Sequence, residues 1–154
     1  IPNLTVIRPA DANETIEAWK YAISHKGGPV ALILTRQKLA VIDQTKYISA
    51  KGLQKGAYVV KDSIQKPDLL LIATGSEILL SINAAERLEA EGKSVRVISF
   101  PSWEIFEYVG DLGESISIET FGASAPDPVL YEKFGFTVEN VMATAYRVLG
   151  LNSI

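Results

Sequence analysis

The chain contains 154 residues, of which 47% are hydrophobic and 21% are charged, and this composition is typical of a globular protein with a core. The formal net charge of -3 excludes an overall positive field that would attract nucleic acid or an anionic membrane. Cysteine is absent, which excludes disulfides, thiolate metal sites and cysteine nucleophiles and fits a reducing, cytoplasmic compartment. No apolar run approaches the roughly 20 residues that cross a bilayer, so we expect a soluble protein.

The first predicted unit is a strand, a helix and a second strand. Residues 4–7 predict a short strand, and Asp11 with Glu14 three residues later predicts a capped helix that runs to about Ser24. The segment Val30–Leu34 is apolar throughout, which predicts a parallel strand that is buried on both faces.

A second unit follows a surface connection. Residues 38–54 have neither helical nor strand periodicity and carry several charges, which predicts a linker. Beyond the linker we predict strands over residues 56–61, 69–73 and 95–99, with a helix over residues 78–90. A strand, a helix and a strand in this order indicate a right-handed crossover, and hence an α/β fold with a mostly parallel sheet flanked by helices.

The remaining elements are shorter or stand near the carboxyl end. We predict a short strand over residues 116–118, a short helix that begins at Asp127, and a last helix over residues 138–149. The chain as a whole therefore combines the last strand, helix and strand of one α/β domain with a second α/β domain.

Arg36 is the first candidate functional residue, because it follows the predicted strand Val30–Leu34. Ligands of parallel α/β sheets bind beyond the carboxyl ends of the strands, and a guanidinium group offers a planar fork of donors that suits phosphate. An ion pair between Arg36 and an acid such as Asp11 explains the same residue equally well, and both interpretations stay open. Thr35 could add a hydroxyl group to the site, although a threonine at a strand end is more often only a good strand residue.

Other polar features have simpler structural interpretations. Gly75 and Ser76 stand between a strand and a helix, but they lack the three-glycine fingerprint and the lysine of a P-loop, so we interpret Ser76 as an ordinary helix cap. His25 is the only histidine, which excludes a histidine relay or a multi-histidine metal site within the chain. No carboxylates have a spacing that indicates paired acid and base catalysis. The chain therefore carries too few reactive side chains to be a complete enzyme by itself.

Five segments stand out when they are considered together: Ile1–Leu4 with Arg8–Asp11, Leu32–Gln37, Ala73–Glu77, Val97–Trp103 and Thr120–Pro126. In this order and spacing they resemble the carboxyl-terminal part of a transketolase. Each segment alone is weak support, whereas five in the family's order are specific and extend over almost the whole chain.

The resemblance implies a homodimeric enzyme that uses thiamine diphosphate and Mg²⁺ or Ca²⁺ to move a two-carbon ketol unit between phosphosugars, in the pentose phosphate or Calvin pathway. It implies that residues 1–37 end the pyrimidine-binding domain, that residues 38–54 form a linker, and that residues 55–154 form a Rossmann-like carboxyl-terminal domain. In this family the arginine of a Ser/Thr-Arg-Gln motif binds the sugar phosphate, and that arginine corresponds to Arg36. The resemblance assigns no catalytic, cofactor-binding or metal-binding residue to this chain.

The chain also departs from the family's pattern. The metal-binding domain, the activating glutamate and the substrate histidines would all precede Ile1, which is neither an initiating Met nor part of a signal segment. We therefore expect a longer protein, and no activity from this chain alone. A strand of the family is missing where Glu107 joins Tyr108, which indicates either a deletion or an unseen segment. We expect an unseen segment, because loss of an interior strand would leave backbone groups unpaired.

Two alternatives to transketolase stay open. The chain could be a non-catalytic module that serves assembly or regulation. It could also be the carboxyl-terminal part of a related thiamine-dependent enzyme, such as deoxyxylulose-phosphate synthase or a 2-oxoacid dehydrogenase subunit. The strings Thr35–Gln37 and Gly122–Pro126 favour transketolase over these related enzymes.

Overall fold

The computed structural model describes residues 3–106, 132–133 and 135–148. The helices and strands of these residues are, in chain order, β1 (Thr5–Ile7), α1 (Ala12–Ser24), β2 (Val30–Leu32), a 3₁₀ helix (Ala50–Lys55), β3 (Tyr58–Lys61), β4 (Leu69–Ala73), α2 (Glu77–Ala90), β5 (Val95–Ser99) and α3 (Val138–Val148). The strands form a two-stranded sheet of β1 and β2 and a three-stranded sheet in the order β3, β5, β4. The predicted α/β class is confirmed.

The first unit pairs β1 with β2 in parallel, and Ile7 lies opposite Leu32. Helix α1 connects the two strands. It begins after Asp11, whose carboxylate accepts a hydrogen bond from the backbone N–H of Glu14 at 2.9 Å. This bond satisfies one of the free N–H groups at the start of the helix and confirms the predicted cap.

The second unit is built around the crossover from β4 through α2 to β5. Strands β4 and β5 are parallel, as the sequence predicts, and β5 lies in the centre of the sheet. Strand β3 pairs antiparallel with the other side of β5. Across both sheets the parallel pairings therefore outnumber the antiparallel one, in agreement with the predicted mostly parallel arrangement.

The main core lies between α2 and one face of the three-stranded sheet. The apolar stripe of α2 consists of Ile78, Ile82, Ala85 and Leu88. Residues at this spacing share one face of a helix, and they pack against Leu69, Val95 and Val97 of the sheet. A smaller cluster of Ile7, Ala18 and Leu53 joins the first unit to the 3₁₀ helix.

The second face of β4 is exposed within the described structure, and β2, which we predicted to be buried on both faces, is only half-buried there. Leu70 and Ile72 keep 42% and 41% of their surface exposed, because alternate side chains of a strand point to opposite faces and α2 covers only one. Strand β2 also ends at Leu32. Ile33 and Leu34, which we predicted to be part of the strand, are exposed.

Three sequence predictions fall outside the described residues. They are the strand over residues 116–118, the helix at Asp127, and the unseen segment between Glu107 and Tyr108. The predicted last helix is present as α3, as far as Val148. In the part of the chain that the structure describes, no helix has the length and apolar character that a membrane span requires.

Candidate functional site

Arg36 lies just beyond the carboxyl end of β2. The backbone N–H of Ile33 donates to the carbonyl of Ile7 at 2.9 Å, and no later residue of this segment bonds to β1 within the described structure. The Arg36 side chain is exposed and forms no hydrogen bond or ion pair with any residue that the structure describes. Its guanidinium donors are therefore available to an anion from outside this part of the chain.

The alternative ion pair between Arg36 and Asp11 is not formed. Asp11 Oδ1 accepts the N–H of Glu14 at 2.9 Å, and Oδ2 accepts the N–H of Ile42 at 2.8 Å. These two bonds place the Asp11 carboxylate at the start of α1, where it also anchors the linker. Asp11 therefore has a structural role that does not involve Arg36.

Thr35 has a role that the sequence analysis did not consider. Its side-chain Oγ1 accepts a hydrogen bond from the backbone N–H of Gln37 at 3.1 Å. A threonine hydroxyl that accepts from the N–H two residues later closes a local turn, and Arg36 is the residue in the middle of that turn.

Arg8 was missed by the sequence analysis, although it follows β1 at the same end of the two-stranded sheet. Its Nη2 donates to Glu77 Oε1 at 2.9 Å, and its Nη1 lies 2.7 Å from Glu77 Oε2. Nη1 also donates to the carbonyl of Thr74 at 3.1 Å, and its contact with Oε2 is an ion pair that lacks hydrogen-bond geometry. The signal that selected Arg36, an arginine directly after a strand, also applies to Arg8.

The turn at Gly75 and Ser76 holds the Arg8 side chain. Gly75 has a φ of +59°, and a Cβ at this position would lie 2.9 Å from Arg8 Cζ. Ser76 occupies the cap position of α2, but its side chain makes no cap hydrogen bond, and its hydroxyl lies 3.3 Å from Glu77 Oε1. The predicted turn is present and Ser76 is the cap residue, as predicted, although the cap lacks a side-chain hydrogen bond.

Glu14 is a buried carboxyl group at the contact between the two units. Its Oε2 accepts the backbone N–H of Ala10 at 2.7 Å, and its Oε1 accepts the hydroxyl groups of Tyr58 at 2.8 Å and Ser99 at 2.5 Å. Burial raises the pKa of the Glu14 carboxyl, while these three bonds act in the opposite direction and Asp11 adds a smaller increase. Burial also raises the pKa of the Tyr58 hydroxyl, so it remains protonated and continues to donate to Glu14.

A surface groove of about 660 Å³ lies between the linker, β3 and α2. The two lysines of its walls pair with the two glutamates, Lys46 with Glu86 and Lys61 with Glu89. The groove does not include Arg36, and its cations are already neutralised. We therefore place the candidate anion site at Arg36 and not in this groove.

Metal ligands are not grouped in the described ranges. No set of three or more His, Cys, Asp or Glu side chains among these residues could hold a metal ion. His25 lies at the end of α1 and stacks on Tyr21, with ring centroids 5.1 Å apart. The described residues therefore do not fit thiamine diphosphate with its metal ion. We assign them no chemical step that involves this cofactor.

Two family models match the chain, in the same order as its two units. Residues 1–41 match the transketolase pyrimidine-binding domain, and residues 56–108 match the transketolase-like C-terminal domain. The fold and the site define an α/β protein with two units, each of which contains a pair of parallel strands. The chain belongs to the transketolase family, and the resemblance noted in its sequence is confirmed.

Similar proteins agree with this assignment. The transketolase of Aquifex aeolicus (strain VF5) is 44% identical over 172 residues, which include 92% of this chain and 25% of the relative. The solved structure of transketolase from Leishmania mexicana is 35% identical with a TM-score of 0.84, over 97% of this chain and 26% of that one. A Pichia stipitis transketolase in complex with sedoheptulose-7-phosphate is 30% identical with a TM-score of 0.82, over 97% and 25% of the two chains. This chain thus spans about a quarter of the length of these relatives.

Proposed function

We propose that this chain supplies the carboxyl-terminal part of a transketolase, which transfers a two-carbon ketol unit between phosphosugars in the pentose phosphate or Calvin pathway. Membership of the transketolase family supports the reaction class. The observation that carries the proposal for this chain is the exposed Arg36 side chain, which has no partner among the described residues and lies beyond a parallel strand.

In this proposal Arg36 binds the phosphate group of the sugar substrate. Guanidinium donates several hydrogen bonds in one plane and keeps its positive charge at all physiological pH values, so it suits a phosphate dianion. The related Pichia stipitis transketolase was crystallised with a phosphorylated sugar, which supports a substrate of this class. This contact binds and orients the sugar by its phosphate end, which is far from the reacting carbon.

The remainder of the active site belongs, in this proposal, to other parts of a longer protein. Residues 1–37 end the pyrimidine-binding domain, residues 38–54 form the linker, and residues 55–154 form the carboxyl-terminal domain. Thiamine diphosphate and Mg²⁺ or Ca²⁺ bind outside this chain, in a cytoplasmic homodimer. The alignment with the Aquifex aeolicus relative is longer than the whole chain, so that relative has residues with no counterpart here, and we place the additional segment between Glu107 and Tyr108.

A ketol-transfer assay tests the proposal and separates it from the non-catalytic alternative. The full-length protein, supplied with thiamine diphosphate and Mg²⁺, should move the two-carbon unit from xylulose 5-phosphate to a phosphorylated aldose. The 154-residue chain, assayed alone under the same conditions, should be inactive. An inactive full-length protein would favour an assembly or regulatory module, and turnover by the chain alone would contradict the proposed division of the site.

A further inference from the structure

The segment that carries Arg36 is held by few bonds. Ile33 donates to β1, and Ile42 donates to Asp11, so both ends of the segment are fixed to the first unit. Between them, in residues 34–41, the bond from the Gln37 N–H to Thr35 Oγ1 is the one hydrogen bond that the described structure contains. The local direction of the backbone at Arg36 therefore depends on this bond more than on any other polar contact.

Thr35 has a side chain that suits this task. Its hydroxyl oxygen can accept the Gln37 N–H, and its branched Cβ limits the rotation that would carry the oxygen away. Neighbouring apolar groups give little help, since Ile33 and Leu34 are 50% and 53% exposed. An arginine loses much side-chain freedom when it binds an anion, so a backbone that already has the right direction reduces the entropy lost on binding.

We infer that Thr35 is a positioning residue, whose turn with Gln37 directs Arg36 toward the substrate phosphate. This inference rests on the phosphate contact proposed for Arg36. Thr35 accepts the Gln37 N–H through its hydroxyl oxygen, and its O–H group remains a donor, so the double variant described below separates positioning from a direct phosphate contact.

The test uses the full-length protein with thiamine diphosphate and Mg²⁺, and three single variants. Thr35→Val keeps the shape of threonine but removes the acceptor, Thr35→Ser keeps the acceptor, and Arg36→Ala removes the proposed phosphate ligand. For phosphorylated donor sugars, Thr35→Val should raise KM about 2- to 12-fold, the effect of one hydrogen bond, with little change in kcat. Thr35→Ser should keep KM closer to the wild-type value than Thr35→Val does, and non-phosphorylated substrates should be used equally by all four proteins.

A double variant separates positioning from direct contact. If Thr35 acts through Arg36, Thr35→Val should cause no additional loss in the Arg36→Ala background. A loss that persists there would assign a direct phosphate contact to Thr35 and overturn the inference, as would a Thr35→Ser variant as impaired as Thr35→Val. If Thr35→Val keeps the wild-type KM while Arg36→Ala is impaired only with phosphorylated sugars, the positioning role of Thr35 is wrong and the phosphate contact of Arg36 stands. If Arg36→Ala impairs both substrate classes alike, the proposed phosphate contact itself is wrong.

Discussion

Arg8 and Glu77 form an ion pair that joins the end of β1 to the start of α2, and thereby links the two α/β units. The Arg8 Nη2 donates to Glu77 Oε1 at 2.9 Å, while Nη1 lies 2.7 Å from Oε2 and donates to the carbonyl of Thr74. The two side chains are 39% and 18% exposed, so the pair is partly shielded from water. Arg8 and Arg36 follow the parallel strands β1 and β2. Because Arg8 is paired with Glu77, Arg36 is the one of these two arginines that is available to an anion.

The Arg8–Glu77 pair should contribute measurable coupling between the two units. We expect a coupling free energy of about 0.5 to 1 kcal/mol in a double-mutant cycle of Arg8→Met and Glu77→Gln, because the pair is only partly exposed. Amide hydrogen exchange of β1 in the full-length protein measures the local opening free energy for each variant. The Arg87–Glu139 pair, with side chains 53% and 75% exposed, is the matched control and should show a smaller coupling. Equal coupling in both pairs would contradict the structural role of Arg8.

Gly75 should tolerate alanine less well than Gly92 does. Both glycines have a positive φ, +59° and +82°, where alanine costs about 1 kcal/mol. A Cβ at Gly75 would press on the Arg8 guanidinium at 2.9 Å, whereas a Cβ at Gly92 meets no atom within 4 Å. The melting temperature of the full-length protein should therefore fall further for Gly75→Ala than for Gly92→Ala. The difference should disappear in an Arg8→Ala background, and a difference that persists there would exclude Arg8 as its cause.

Glu14 should make the stability of the protein depend on pH in a defined direction. Its pKa is raised in the folded state, mainly by burial, so its favourable contribution is complete below the ordinary glutamate pKa of about 4.3 and is lost as pH rises through the folded pKa. Glu14→Gln removes this titration, and the Tyr58 and Ser99 hydroxyl groups can reorient to accept from the new amide.

The measurement compares wild type and Glu14→Gln from about pH 4 upward, because subtracting the two stability curves cancels the other carboxylates. The stability of the wild type relative to the variant should decrease as pH rises. A constant difference would mean that the folded pKa of Glu14 is not raised, and an increase would mean that it is lowered.

Local sequence signals predicted the elements of the fold better than their ends. Strands β4 and β5 have the predicted bounds, because each is a short run of apolar or alternating residues closed by turn residues. Strand β2 ends earlier than its apolar sequence indicates. Pro9 has no N–H to continue the ladder, and the Arg8 N–H bonds to Pro101 instead, so Ile33 is the last residue of that segment to bond β1.

The candidate site was predictable only in part. The position of Arg36 after a strand follows from local sequence, and so does the bond between Asp11 and Glu14. The partners of the Glu14 carboxyl were not predictable, because Tyr58 and Ser99 stand 44 and 85 residues away in the chain. Such contacts depend on how the two units pack, and local periodicity contains no information about that packing.

The most direct test of the proposed role of Arg36 is the substrate selectivity of Arg36→Ala in the full-length enzyme. A charge-assisted contact between arginine and phosphate is worth about 1.5 to 3 kcal/mol, so kcat/KM for phosphorylated sugars should fall roughly 10- to 150-fold. A non-phosphorylated ketose or aldehyde presents no anion to Arg36, so its kcat/KM should change little, and the melting temperature should stay near that of the wild type. Equal losses for both substrate classes, together with a lowered melting temperature, would contradict the account and assign Arg36 a purely structural role.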